Sequence, residues 1–169
     1  YLGKYLAQVT LRHDGSSRFG RNNRWGTFPA ASIGWRISSE DFMISTQNWL
    51  NYLKLRVGWG QSGNDLIGNY NGYTTFASGQ STSYYGLDGN NNSTTAGFES
   101  SSFGNLDAKW ETITTTNVGI DAAILNDALS MNIDIWQRRT TDMLFPKSIP
   151  AVVGQAAVPS INVGDMKNT

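Results

Sequence analysis

The chain of 169 residues carries 13 lysines and arginines against 13 aspartates and glutamates, so nothing electrostatic draws it to nucleic acid. It has no cysteine, which excludes disulfide frameworks, thiolate metal sites and cysteine nucleophiles together. Charged residues make up 15% against about 25% in an ordinary soluble domain, aromatics reach 12%, and no apolar run approaches the ~18 residues of a membrane helix.

Residues 1–4 approach a strand with no leader before it, and the chain stops at Thr169 without a closing element, so both ends are expected to be cuts. From Tyr5 to His13, Tyr5, Ala7, Val9 and Leu11 alternate with Gln8, Thr10 and Arg12, the period of a strand with one apolar face. A polar loop over 14–26 carries Arg18, Arg21, Arg24 and Trp25. A second strand is predicted over 27–38, with Ala31, Ile33, Trp35 and Ile37 on one side and Pro29 near its start. A short connection over 39–48 has capping-box spacing, Ser38 to Asp41, for a single helical turn.

The third strand is the clearest: Leu53, Leu55, Val57 and Trp59 oppose Lys54, Arg56, Gly58 and Gly60, one oily side and one wet. Residues 61–109 then turn to Gly, Asn, Ser, Thr and Tyr, a length of loop expected to be functional. A fourth strand is predicted over 110–123, a tight turn over 125–128, and a fifth strand with Leu129, Met131, Ile133 and Ile135 on one face. A proline-bearing loop over 141–159 precedes a sixth strand at 161–166.

The expected fold is all-β: antiparallel strands of a transmembrane β-barrel, with connections alternating long and short. Outer-membrane barrels keep short turns at the periplasmic end and long loops outside, and carry aromatic girdles at both interfaces. Trp59, Trp110 and Trp136 are expected near the long-loop end, although Trp136 falls on the polar face by parity; Trp35 and Trp49 are expected near the other. The competing expectation is a secreted soluble β-sandwich carbohydrate-binding module. The apolar face discriminates the two, since it points inward in a sandwich and outward in a barrel.

Several stretches together resemble the SusC/RagA group of TonB-dependent outer-membrane transporters. They are Asp14-Gly15-Ser16-Ser17-Arg18-Phe19-Gly20, Asn23-Arg24-Trp25-Gly26-Thr27-Phe28-Pro29, Gly34-Trp35-Arg36-Ile37, Trp49-Leu50-Asn51-Tyr52-Leu53-Lys54-Leu55-Arg56, Lys109-Trp110-Glu111-Thr112 and Asn162-Val163-Gly164. Leu106 stands where the family often has proline, and His13 where arginine or tyrosine is usual. The resemblance implies a barrel of about 22 strands, of which residues 1–169 are one part, with a separate plug domain. It implies the outer membrane of a Gram-negative bacterium and contact with membrane lipid. A SusD-like surface lipoprotein acts as lid, TonB acts through the plug, and the cargo is an oligosaccharide or a peptide.

Catalytic and cofactor chemistry finds no set of residues here, so no enzyme and no cofactor is expected. Gly58-Trp59-Gly60-Gln61-Ser62-Gly63 fits the dinucleotide fingerprint in letters, yet no helix comes after it to receive a pyrophosphate. His13 is the only histidine and lies beside Asp14 at a strand end, where neighbours point to opposite faces. Residues 88–92 lack the spacing and closing glutamate of a calcium loop, so a solvated turn is expected. The arginines of the first loop are expected to bond neighbouring carbonyls and carboxylates. The aromatic and amide side chains of the long loop suit the apolar faces and polar edges of sugar rings. Tyr70, Tyr73, Tyr84, Tyr85 and Asn91 are the candidate substrate-binding residues, with cargo and lid both open as their partner.

Overall fold

Strict alternation of apolar and polar residues leaves each long segment one oily edge to align with its neighbours, and this sets the wall. The computed structural model describes residues 1, 3–87, 89, 94–146, 148, 150 and 156–169. The strands are β1 (Tyr5–Gly15), β2 (Trp25–Arg36), β3 (Leu50–Asn64), β4 (Thr75–Ala77), β5 (Tyr85–Gly86), β6 (Thr94–Thr95), β7 (Glu99–Ser102), β8 (Glu111–Ile124), β9 (Leu129–Thr141), β10 (Leu144–Pro146), β11 (Ser160–Asn162) and β12 (Met166–Asn168). Six of them form one antiparallel sheet in the order β1-β2-β3-β8-β9-β12. The remaining six make three small ribbons, β4 with β7, β5 with β6 and β10 with β11.

Residues directly opposite in an antiparallel pair share a face, so the register sorts the whole wall. One row runs Ala7–Ile33–Val57–Val118–Ile135, and the next runs Tyr5–Trp35–Leu55–Ile120–Ile133. The row between them carries Leu6–Gly34–Arg56–Gly119–Asp134, and the row beyond Ala7 carries Gln8–Ser32–Gly58–Asn117–Trp136. Trp136 therefore sits on the polar face, as parity required. On the apolar face Val9 is 82% exposed and Ile135 73%. A sandwich would bury these side chains beneath a second sheet about 10 Å away. No second sheet covers them among the described residues, and the sandwich is not favoured.

The apolar stretch crosses the register obliquely. On β1 it runs from Tyr5 to Leu11; on β9 it runs from Leu129 to Ile135. Tyr5 is level with Ile133, four residues past Leu129, and Ile135 is level with Ala7, four residues short of Leu11. Four residues are about 14 Å of strand and four strand spacings about 19 Å, so a level apolar band requires a strand tilt of about 35°. Membrane barrels tilt their strands by roughly this angle.

Several boundaries differ from those expected. β3 continues to Asn64, which places the whole Gly58–Gly63 segment inside a strand with no helix after it. The sixth wall strand is Met166–Asn168, because residues 160–162 are taken by the β10–β11 ribbon and Gly164 then turns the chain at φ +67°. The lengths of the first two connections also reverse. β1 and β2 are joined over 16–24, whereas β2 and β3 are joined over 37–49 through two 3₁₀ segments, Ile37–Ser39 and Asp41–Thr46, with no side-chain cap. The long-loop end is thus defined by 65–110 and 142–165.

The 125–128 turn is tight. Leu125, Asn126 and Asp127 all hold positive φ, at 56°, 57° and 65°. Asparagine and aspartate tolerate that region; leucine meets its own carbonyl there at a cost of about 1–2 kcal/mol. Leu125 is 60% exposed, so little packing offsets the strain. Leu125→Asn is expected to stabilise the full-length barrel by about 1 kcal/mol in an unfolding titration, while Asp127→Leu should destabilise it by a similar amount.

Candidate functional site

Wall strands spend their side chains on two faces and bury almost nothing between them. The buried hydrophobic residues lie mostly at the long-loop end: Phe19, Phe28, Ile67, Ala108 and Ala156. Phe19, Ile67 and Ala108 form one cluster, with Trp110 and Leu144 packed against it. Register between β2 and β3 ends at Ala30 opposite Gly60. Phe28 fills the gap above, and a Cβ at Gly26 or Gly63 would run into its ring. Trp110 meets Phe28 edge-on at 5.5 Å and Phe19 at 5.2 Å. It is therefore a cluster residue, not a girdle residue as its position near a strand end suggested. Trp59 does lie on the apolar face, in the row of Val9, Ala31 and Thr116.

Side chains then bind the three loops to one another. Ser16 Oγ donates to Asp65 at 2.7 Å. Arg18 donates to the Asp65 carbonyl at 3.1 Å and to Asn69 Oδ1 at 3.3 Å, the structural role expected of that arginine. Arg21 stays exposed. The Arg24 carbonyl accepts from Ser16 N at 2.9 Å and from Trp110 Nε1 at 3.3 Å. Asn71 holds Ser160 by both groups of its amide, accepting from the backbone N–H at 2.8 Å and donating to the carbonyl at 3.3 Å. Asn105 Nδ2 reaches the same carbonyl at 2.9 Å. Asn162 accepts from Lys109 N at 2.9 Å and donates to the carbonyls of Lys109 and Asp142 at 2.8 Å each.

These asparagines were not legible as staples. Asn71 belongs to the aromatic and amide set of the long loop, for which cargo and lid were both open, and its side-chain amide bonds Ser160. Asn162 stood only as part of a family motif. The family stretches at 14–20, 23–29, 109–112 and 162–164 converge on this loop knot, which explains what they do locally.

The long loop also forms two ribbons, β4–β7 and β5–β6, the second of which carries Tyr85. Tyr70 to Tyr73 make one turn, closed by Tyr73 N donating to the Tyr70 carbonyl at 2.8 Å, with Tyr70 at φ 64°. Both rings are exposed, at 71% and 59%. Tyr85 lies in β5 opposite Thr95, and Tyr84 precedes it at the end of a turn anchored on the Gly79 carbonyl. Both are exposed, Tyr84 the less so. Among the described residues, no ring of these four stacks on another. Asn91, with residues 88, 90 and 92 of the asparagine turn, lies outside the described residues. Phe76, Leu87 and Phe98 add further exposed apolar surface to the same loop.

On the polar face of the wall, Arg56 grips Asp121 with two bonds of 2.8 and 2.9 Å and reaches Asp134 at 3.2 Å. Asn132 donates to Asp121 at 2.6 Å and Asn117 to Asp134 at 3.2 Å. Gly119 lies under this network; a Cβ there would strike the Asp134 carboxylate and the Arg56 guanidinium. Two open hollows of about 340 and 390 Å³ flank Gly58 on this face. His13 is not paired with Asp14: it stacks on Trp25 with ring centroids 5.1 Å apart and meets Thr27 Oγ1 at 2.9 Å, while Asp14 bonds Arg12.

Comparison with known proteins agrees with this geometry. The family described as TonB dependent receptor-like, beta-barrel, matches residues 1–169. The TonB-dependent receptor SusC of Bacteroides thetaiotaomicron is 38% identical over 168 residues, 99% of this chain and 16% of that protein. A TonB-dependent receptor of Formosa agariphila is 35% identical over 99% of this chain and 15% of its own length. The RagAB peptide transporter superposes with a TM-score of 0.80 at 34% identity, over 97% of this chain and 17% of that one. A tilted, one-sidedly apolar antiparallel wall under long knotted loops is thus matched along its whole length. The chain belongs to the TonB-dependent receptor β-barrel family, resembling its SusC and RagA members, and lies in the outer membrane.

Proposed function

We propose that these residues are part of the barrel wall and outer loops of a transporter that imports a nutrient fragment, an oligosaccharide or a peptide, through a barrel of about 22 strands. TonB drives release through a plug domain, and a SusD-like surface lipoprotein closes over the loops. The observation that carries the reading is the family match over residues 1–169 on a wall whose apolar face is uncovered. Tyr70, Tyr73, Tyr84, Tyr85 and Asn91 are proposed to face the cargo or the lid. Exposed rings beside amides favour a sugar; the relatives named as peptide transporters favour a peptide.

Calorimetry on the full transporter, with and without its lid lipoprotein, tests the tyrosines one alanine variant at a time. Truncating an anchor typically costs about 2 kcal/mol, roughly thirtyfold in affinity, and at least one of the four is expected to lose that much. Cargo affinities within about twofold of wild type in all four variants, with lid binding intact, would remove the loop from both roles. Loss of lid association with cargo affinity unchanged assigns the tyrosines to the lid. Running an oligosaccharide and a peptide pool in parallel decides the cargo class.

A further inference from the structure

The connection between β2 and β3 lies at the periplasmic end, where hairpin loops of about two to five residues usually suffice. Over 37–49 the chain instead folds into two 3₁₀ segments. Glu40 stands between them and gathers three donors: Tyr5 OH at 2.6 Å, Trp35 Nε1 at 3.0 Å and Lys4 Nζ at 3.3 Å. Tyr5 and Trp35 are register partners on the apolar face, level with Leu55 and Ile133. The Glu40 carboxylate is therefore drawn to the lipid side of the wall. A charge goes no deeper than the margin of the hydrocarbon, so Glu40 marks that margin. Its carboxyl is held below the usual range, first by the Tyr5 hydroxyl and then by the Trp35 indole.

The segment after Glu40 is polar at Asp41, Ser45, Thr46, Gln47 and Asn48, yet it also turns large apolar side chains outward. Phe42 is 65% exposed, Ile44 62% and Trp49 53%. None of them joins the buried cluster, which lies at the opposite end of the strands. The neighbouring 125–128 turn presents one exposed leucine, Leu125, which opens a run of three left-handed residues. Trp49 is tied to that turn, its carbonyl accepting from Leu125 N at 2.9 Å. An amphipathic segment fastened by a carboxylate to the edge of the lipid-facing band has the make-up of an interfacial element.

We propose that residues 41–49 form an interfacial anchor, with Phe42, Ile44 and Trp49 inserted among the phospholipid headgroups and upper acyl carbons of the inner leaflet. The occupant of this surface is the phospholipid itself, because the surface extends the band that the wall already presents to lipid. Trp and the apolar rings sit well at that depth, where one end is oily and the other wet. The inference rests on the wall's place in the membrane and is independent of the cargo.

The test uses the full-length transporter in phosphatidylethanolamine–phosphatidylglycerol vesicles. Single cysteines at Phe42→Cys, Ile44→Cys and, as reference, Asp127→Cys carry a nitroxide, in a background without other reactive thiols. Collision with oxygen, which partitions into lipid, is compared with collision with a water-borne nickel chelate. The oxygen-to-nickel ratio is expected to be several-fold higher at 42 and 44 than at 127. A ratio equal to that at 127 places the segment in water and overturns the proposal. Exclusion of both reagents shows burial against the rest of the protein and overturns it equally. A second measurement needs no label. The difference in fluorescence between wild type and Trp49→Phe isolates Trp49, which is expected to be quenched by acyl-brominated phospholipid and spared by iodide; the opposite pattern rejects the anchor.

Discussion

Leu55→Arg is expected to cost the full-length barrel about 2–4 kcal/mol, the larger effect of a matched pair whose other member is Lys54→Gln. The two residues are neighbours on β3 and differ only in the face they serve. Leu55 lies in the row Tyr5–Trp35–Leu55–Ile120–Ile133, near the middle of the apolar stretch from Leu53 to Trp59. A guanidinium there must sit in hydrocarbon or drag water to itself. Lys54 lies on the polar face beside Asp121, with its stem across Gly34, and makes no ion pair among the described residues. Its loss should change stability by no more than about 0.5 kcal/mol. Guanidinium titrations of the two variants from phospholipid vesicles decide the matter. Equal costs, or the reverse order, would mean that the faces of the wall are exchanged, and the 35° tilt derived from the apolar band would fall with them.

Phe19→Ala is expected to loosen the outer loops without loosening the wall. Phe19 is 2% exposed and packs with Ile67, Ala108 and Trp110, residues from two separate stretches of the long loop. Truncating a buried phenylalanine costs about 3–5 kcal/mol where the site does not collapse. The hydrogen bonds around the cluster fix its geometry: Ser16 to Asp65, Arg18 to Asp65 and Asn69, Asn23 to the Asp107 carbonyl at 3.2 Å. Collapse is thereby restricted, and the full cost should appear locally, as a rise in opening of the loops. Amide hydrogen exchange reads it directly. Protection at Ile67 and Ala108 should fall by two orders of magnitude or more, by about 1.4 kcal/mol per tenfold, while Val57 and Val118 in the wall stay as they were. Unchanged exchange at Ile67 would show that the asparagine staples hold the loops alone. Equal loss in the wall would show that loops and barrel open as one unit. Either pattern bears on cargo, because the turn carrying Tyr70 and Tyr73 is held at Asn71 by this scaffold.

Local alternation determined the wall. In β3, Leu53, Leu55, Val57 and Trp59 against Lys54, Arg56, Gly58 and Gly60 needs no partner to declare two faces, since successive side chains point opposite ways whatever lies beside them. The same period placed Trp136 with the polar residues and identified the tight 125–128 turn. Alternation and connection lengths pointed to a membrane barrel, the family stretches then supplied the transporter group, and composition left no electrostatic case for nucleic acid and no thiol chemistry. Tertiary structure decided what depends on contacts between distant residues. The staples of the loop knot are side chain to backbone: Asn71 to Ser160, Asn162 to Lys109, Trp110 to Arg24. A backbone carbonyl carries no residue identity, so its partner leaves no pattern to read. The sixth strand moved from 161–166 to Met166–Asn168 because residues 160–162 were claimed by Leu144–Pro146, a pairing of two three-residue segments too short to show a period. The connection expected over 39–48 with a single helical turn spans 37–49 with two 3₁₀ segments, and its anchor was hidden because Glu40 is bound by Tyr5 and Trp35, which meet only when β1 and β2 pair. Strand tilt came from neither source alone: the apolar stretches are written in the sequence, but their slope appears only when the register sets them side by side.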